Sequence, residues 1–263
     1  MRQVDAEVDT SGHTGRVALV TGAAGQGIGK AIATRLAAEG ATVIVTDSHP
    51  KRVITAAAEI AEQTGATVHA RRLDVGVREE IFDVTDWIRR EVGPISILVN
   101  NAAHNEMGSI FDYDPAVWDR IIAVNLSGPW LLSKQAMTQM RDAGQGGVIL
   151  NISTYAPDLG GLGLETPYAV SKGGLNVLTR CCAHEGGPFG IRVNSLAMGV
   201  VTGTRFVDVL HPELIPDQQS KSPLGRLADV ADIVEAAAFL ISDGSRATTG
   251  ETVNVAAGNH MRY

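Results

Sequence analysis

The sequence predicts a doubly wound α/β domain: a seven-stranded parallel sheet with helices on both faces. Two observations carry that expectation. Short apolar runs without polar alternation recur along the chain, separated by stretches of helical length with apolar residues at helical spacing, and a glycine-rich turn joins the first run to the first helix. No linker, low-complexity tract or short repeat divides the 263 residues, so one domain is expected over 15–263, behind a flexible polar tail at 1–14.

The elements follow in order. Val17 to Val20 reads as a buried strand, and Ile28, Ile32 and Leu36 form the apolar stripe of a helix that stops at Gly40. Thr42 to Thr46 is the second strand, followed by a helix to about Gln63, a strand from Val68 to Leu73 and a helix from Arg78 to Glu91. Ile95 to Val99 reads as a strand covered on both faces. Asp114 and Pro115 suit the N-cap and first position of a long helix ending near Arg141. Within it, Pro129 lacks the N–H that would bond the carbonyl of Asn125, so a kink with a freed carbonyl is expected there; the competing reading is a helix boundary after Gly128. Val148 to Ile152, Ile191 to Leu196 and Thr252 to Val255 supply the last three strands, with helices near Pro167 to Glu185 and Asp229 to Ile241.

Composition narrows the function classes. With 19% charged and 44% apolar residues the chain is globular, and a net charge of −7 argues against a nucleic-acid or anionic-membrane surface. No run of 18 apolar residues and no basic, apolar leader is present. The two cysteines, Cys181 and Cys182, are adjacent, a poor geometry for an ordinary disulfide. They read as packing residues and a cytoplasmic setting is expected. His184 and Glu185 read as helical surface, and the histidines are scattered without metal-ligand spacing, so no metal is expected.

The turn Thr21-Gly22-Ala23-Ala24-Gly25-Gln26-Gly27-Ile28-Gly29 lies between a strand and a helix, where glycines let the backbone approach a pyrophosphate resting on the helix N-terminus. A nucleoside-triphosphate loop is excluded, because Lys30 is followed by Ala31 and the leading position is Ala24. Asp47 ends the second strand, where a carboxylate can bond ribose hydroxyls and repel a 2′-phosphate; NAD is therefore expected over NADP, the alternative being a turn or cap residue. Tyr168 and Lys172 lie four residues apart, on one helical face. A phenol ordinarily ionises near pH ~10, and a neighbouring cation lowers that value. By spacing alone the pair is also compatible with an ordinary amphipathic helix.

With the glycine loop and Tyr168-x-x-x-Lys172, four further motifs occur in order: Leu73-Asp74-Val75, Asn100-Asn101-Ala102-Ala103, Val124-Asn125-Leu126 and Asn151-Ile152-Ser153-Thr154. Over residues 15 to 257 the chain resembles the short-chain dehydrogenase/reductase family, of Tyr-x-x-x-Lys type. The resemblance implies a Rossmann-type fold and NAD(P)-dependent oxidation of an alcohol or reduction of a ketone. Gly22, Gln26, Gly27, Ile28, Gly29 and Asp47 would contact the cofactor, Asp74 and Val75 would hold its adenine, and Asn101 and Ala102 would line it. Tyr168 would be the acid–base residue, Lys172 would lower its pKa and bind the nicotinamide ribose, and Asn125 would complete a proton path through a water on its carbonyl. A homotetramer, or a homodimer, packed through the long helix and the Tyr168 helix is also implied. A catalytically inactive NAD-binding sensor of the same fold is the alternative.

The chain departs from the family pattern in four places. Four residues rather than three separate Gly22 from Gly27, the extra one being Gly25 or Gln26. The substrate-orienting hydroxyl falls on Thr154 by motif, with Ser153 the alternative, and a one-residue insertion between Pro157 and Thr166 accounts for the interval to Tyr168. The family's Pro-Gly after the sixth strand is Met198-Gly199, and the threonine that often touches the carboxamide is displaced among Thr202 and Thr204. Val201 to Pro223 is irregular, with apolar Phe206, Val209, Leu210, Leu214 and Ile215 and proline pairs at His211-Pro212, Ile215-Pro216 and Ser222-Pro223. It reads as a lid over a moderately apolar substrate, or as a short helix packed on the core.

Overall fold

A computed structural model describes residues 12–204, 207 and 214–261. The elements are β1 (Val17–Thr21), α1 (Ile28–Ala38), β2 (Thr42–Asp47), α2 (Pro50–Thr64), β3 (Val68–Arg72), α3 (Arg78–Glu91), β4 (Ile97–Asn100), α4 (Pro115–Ile122), α5 (Gly128–Ala143), β5 (Gly147–Thr154), α6 (Thr166–Gly186), β6 (Ile191–Met198), β7 (Val201–Thr202), α7 (Leu214–Ser220), β8 (Ala228–Asp229), α8 (Val230–Ile241) and β9 (Thr252–Val255). Seven strands form a parallel sheet in the order β3-β2-β1-β4-β5-β6-β9. The order reverses between β1 and β4, and in such sheets the crevice above that point, at the carboxyl ends of the strands, receives ligands.

Strand periodicity explains the two cores. Ala18 and Val20 of β1 join Val43 and Val45 of β2 under α1, α2 and α8, whereas Val17, Leu19 and Ile44 point to the other face, where α3, α5 and α6 pack. Ile97, Leu98 and Val99 are completely buried, because β4 lies mid-sheet with helices above and below. Burial of each such side chain contributes roughly 1.5–3 kcal/mol. Buried polar groups are tied across elements. Gln139 of α5 accepts from the N–H of Ile95 at 3.0 Å and donates to Thr85 O of α3 at 3.1 Å. Arg192 of β6 donates to the carbonyls of Leu240, Ile241 and Ser242, capping the C-terminal end of α8.

The helix expected from Pro115 to Arg141 is interrupted. A π segment, Ala123–Ser127, separates α4 from α5, with the N–H of Gly128 bonded to Ala123 O. Pro129, in the first turn of α5, cannot donate the bond that would continue an α-helix across this junction. Asp114 is the N-cap of α4 and accepts from the N–H of Ala116, as expected.

The parallel pair β7–β8 had no sequence signal, because each strand has two residues. The expected lid contains α7; Phe206, Val209, Leu210 and the pair His211-Pro212 lie outside the described residues. Of the expected tail, residues 1–11 also lie outside. His13, within it, is buried, with its N–H bonded to Glu39 O at 2.7 Å.

Candidate active site

The glycine turn leaves β1 over the switch point. Gly22 has φ +63°, and a Cβ there would come within 2.8 Å of the Ala102 backbone. At Gly29 a Cβ would lie 2.3 Å from the Asn101 amide nitrogen and 2.7 Å from Gly22 O, so α1 can seat this close only with glycine. Asn101 braces the turn, donating to Thr21 O at 2.9 Å and Gly22 O at 3.0 Å, while the N–H groups of Asn101 and Ala102 donate to Thr21 Oγ1. Gly25 and Gln26 are exposed, so the extra length of the loop is absorbed toward solvent. The N-terminus of α1, starting at Ile28 after Gly27, has no side-chain cap and no acidic residue in its first turn. Its N–H groups remain available to an anion, which is what a pyrophosphate requires.

Asp47 closes β2, with Oδ1 accepting from the N–H of His49 at 3.0 Å and lying 3.7 Å from the Arg52 guanidinium. Asp74 is less free than the motif implies. It accepts from the N–H of Gly76 and from Arg120, both at 2.9 Å; burial pushes its carboxyl up, but these bonds prevail and hold it below the ordinary carboxylate value. Val75 beside it is buried.

The first turns of α6 carry Tyr168 and Lys172. Lys172 is 3% exposed, donates to Ile152 O of β5 at 2.8 Å and lies 5.7 Å from the centroid of the Tyr168 ring. Burial pushes its ammonium down to about 8. The phenol goes the other way from expectation: burial and, secondarily, the charge of Glu165 raise its pKa. Desolvation of the phenolate outweighs the cation, whose Nζ is engaged by a carbonyl.

Asn125 is completely buried in the π segment. Its amide accepts from the N–H of His104 and donates to His104 O, both at 2.8 Å, and donates to Ser171 Oγ at 3.1 Å; Ser171 in turn donates to Tyr168 O at 2.7 Å. The side chain thus holds the loop after β4 against α6. Beneath it, Asn100 donates to Asn151 Oδ1 at 2.8 Å and Asn151 to Thr179 at 2.9 Å, joining β4, β5 and α6. At the end of β5, Ser153 is 1% exposed and its hydroxyl has no hydrogen-bond partner, whereas Thr154 is half-buried at the rim and accepts from the N–H of Ala156 at 3.3 Å.

Sequence reasoning missed three groups here. Tyr155 lies beneath the segment after β6, with its N–H on Met198 O at 3.2 Å and its hydroxyl 3.4 Å from Gln218 of α7. His260 stacks near Tyr155 at 5.2 Å and bonds Asp158 at 2.9 Å, folding the C-terminal residues over β5. Glu165, just before α6, accepts from Asn105 at 2.6 Å. None belongs to a motif; each is placed by long-range packing. Among the described residues no group of three or more His, Cys, Asp or Glu is placed to hold a metal ion, and no helix is long and apolar enough to cross a membrane.

The sequence model of a family described as enoyl-(acyl carrier protein) reductase matches residues 22–260, from the glycine turn through His260. The chain belongs to the short-chain dehydrogenase/reductase family. Members of this family similar to it include (5R,7aS)-5-hydroxy-7a-methyl-1-oxo-2,3,5,6,7,7a-hexahydro-1H-indene-carboxyl-CoA reductase of Mycobacterium tuberculosis, 32% identical over 94% of this chain and 95% of that one. Another is 2-(S)-hydroxypropyl-CoM dehydrogenase 3 of Xanthobacter autotrophicus, 35% identical over 92% and 95%. A crystal structure of a short-chain type dehydrogenase/reductase from Mycobacterium marinum superposes with a TM-score of 0.90 at 29% identity, covering 97% of this chain and 99% of that one. The chain is thus an oxidoreductase of the short-chain dehydrogenase/reductase family with the Rossmann-like parallel sheet.

Proposed function

We propose that this short-chain dehydrogenase/reductase transfers a hydride between NAD(H) and a small alcohol or ketone, with Tyr168 as the acid–base residue. The observation that carries the reading is Lys172, a buried ammonium fixed by Ile152 O one helical turn from the Tyr168 phenol. A bound nicotinamide supplies or accepts the hydride. The protein moves the proton: Tyr168 gives it to the forming alkoxide in reduction or takes it from the alcohol in oxidation. Lys172, pushed down to about 8, can pass a proton onward near neutrality, and the Asn125 carbonyl, in the π segment ahead of Pro129, would seat the water that leads to solvent. Thr154 is favoured over Ser153 for holding the substrate oxygen, since it stands at the rim while Ser153 is enclosed.

Gly22, Gly27, Ile28 and Gly29 would carry the pyrophosphate, with Gln26 beside it, Asp74 and Val75 would hold the adenine, and Asn101 and Ala102 would line the cofactor along β4. Asp47 at the end of β2 supports NAD over NADP, because a carboxylate at the end of the second strand can bond ribose hydroxyls and would repel a 2′-phosphate. Trp130, Val177 and Phe189 on and beside α5 and α6 are 45–50% exposed, which supports assembly as a homotetramer or homodimer through these helices. A cytoplasmic location fits the two unpaired cysteines.

A panel of alcohols and ketones followed by nicotinamide absorbance, with NAD and NADP in parallel, tests the reading. Turnover lost in Tyr168→Phe and faster with NAD is expected. Tight NAD binding without turnover across the panel refutes it in favour of a sensor, and light scattering that gives a monomer refutes the assembly.

A further inference from the structure

Glu165 is bolted in place from two sides. Its carboxylate accepts from the Asn105 amide at 2.6 Å, on the loop after β4, and its carbonyl accepts the N–H of Ala169 at 2.8 Å in the first turn of α6. The neighbouring Leu164 carbonyl takes the Tyr113 hydroxyl at 2.9 Å and the Gly108 N–H at 2.9 Å, so the loop after β4 and the segment before α6 form one wall. After burial, the charge of Glu165 contributes to the raised pKa of Tyr113, Tyr155 and Tyr168 alike. Glu165 immediately precedes α6, three residues before Tyr168, and the Asn105 bond ties it to the loop after β4, so its charge is fixed within one helical turn of Tyr168 along the chain.

We propose that Glu165, held by Asn105, is a positioning residue of this site, whose negative charge acts on the Tyr168 phenol and selects substrates that are neutral or cationic beside the reacting carbon. The proposal rests on the role given above to Tyr168. The field of a fixed anion raises the proton affinity of an adjacent phenol and repels a carboxylate, sulfonate or phosphate brought near the same point. The other titratable groups on the surrounding elements are Lys172 on α6, Tyr155 and the Asp158–His260 pair on the segment after β5, His104 and Glu106 on the loop after β4, and Asp119 and Arg120 on α4. None of them is bonded to the carboxylate of Glu165, which is met by the uncharged amide of Asn105.

Glu165→Gln is the test, because glutamine keeps an oxygen for Asn105 while removing the charge. Two readouts apply. In the pH profile of kcat/KM for alcohol oxidation, the limb that reports Tyr168 is expected to move about half a pH unit or more toward acid. In equilibrium binding to the NAD complex, cyclohexanone and its ring carboxylate serve as matched probes. The variant is expected to gain about 5-fold or more for the carboxylate and to leave cyclohexanone unchanged. Glu62→Gln, which removes an exposed carboxylate near the C-terminal end of α2, serves as a control for nonspecific changes in net charge and is expected to leave the ratio of the two probes unchanged. An unmoved limb together with an unchanged probe ratio overturns the proposal, as does a variant that only loses thermal stability, which would reduce Glu165 to a favourable charge at a helix N-terminus. Wild-type protein without turnover on the whole panel overturns the hydride-transfer reading instead, and the probe ratio then judges Glu165 by itself.

Discussion

Replacing Lys172 by Met is expected to make the protein more stable and less active. The ammonium is pushed from an ordinary 10.5 down to about 8 by burial, and at ~1.4 kcal/mol per pH unit that makes its charge cost the folded state about 3 kcal/mol. Methionine keeps the apolar stem but leaves the Ile152 carbonyl without its 2.8 Å donor, a loss of ~1 kcal/mol. A net gain of about 2 kcal/mol at pH 7 follows. The folded pKa lies below the unfolded one, so below about pH 8 both states are protonated and the full cost is present. Between about 8 and 10.5 the unfolded chain binds more protons, wild-type stability rises with pH, and the variant's advantage shrinks by about 2 kcal/mol between pH 7 and 9.5. Urea unfolding of both proteins at the two pH values measures this, because other titrating groups cancel in the difference. An advantage that stays flat within about 0.5 kcal/mol would mean that Lys172 is not a buried cation, and the proton role given to it would fall.

Other consequences are as specific. Thr154→Ala should lower turnover about 100-fold while Ser153→Ala stays near wild type; the reverse order assigns the substrate hydroxyl to Ser153. Gly29→Ala places a Cβ against the Asn101 amide and Gly22 O, so a loss of ~1–3 kcal/mol in chemical unfolding and weaker NAD binding by calorimetry are expected; unchanged stability would show that the turn can yield. Arg192→Met strips the donors from the end of α8 and should cost about 2–4 kcal/mol, with hydrogen exchange rising first in that helix; a loss below ~0.5 kcal/mol would show that water replaces the guanidinium.

What could be read from the chain was whatever local chemistry encodes. Ile97, Leu98 and Val99 announce a strand covered on both faces because no polar residue interrupts them, and Asp114-Pro115 announces a helix start because cap and first-turn preferences act within four residues. Gly22, Gly29 and the pair Tyr168 and Lys172 were legible for the same reason: a turn, a close approach and a helical face are short-range requirements. The break between α4 and α5 was legible from Pro129, although its form as a π segment was not, since several backbone solutions relieve the same missing N–H.

The direction of the Tyr168 shift was the main thing the spacing could not give. An i,i+4 cation suggests a lowered phenol pKa, but the outcome depends on how much water the fold removes and on where Lys172 points, and the fold turns Nζ to Ile152 O and brings Glu165 within range. Asn125 and Asn101 were expected at the site from their motifs, and their amides are spent on His104, Ser171, Thr21 and Gly22, partners 21 to 80 residues away. Asp74 meets Arg120 across 46 residues, and Asp158 meets His260 across 102. The sequence by itself determined the seven main strands and the helices between them, the glycine turn and the placing of Tyr168 and Lys172 on one helical face, because each is written in neighbouring residues. The tertiary structure alone decided which charges surround Tyr168, because electrostatic contacts and desolvation depend on distance in space, and that distance is set only when the sheet closes.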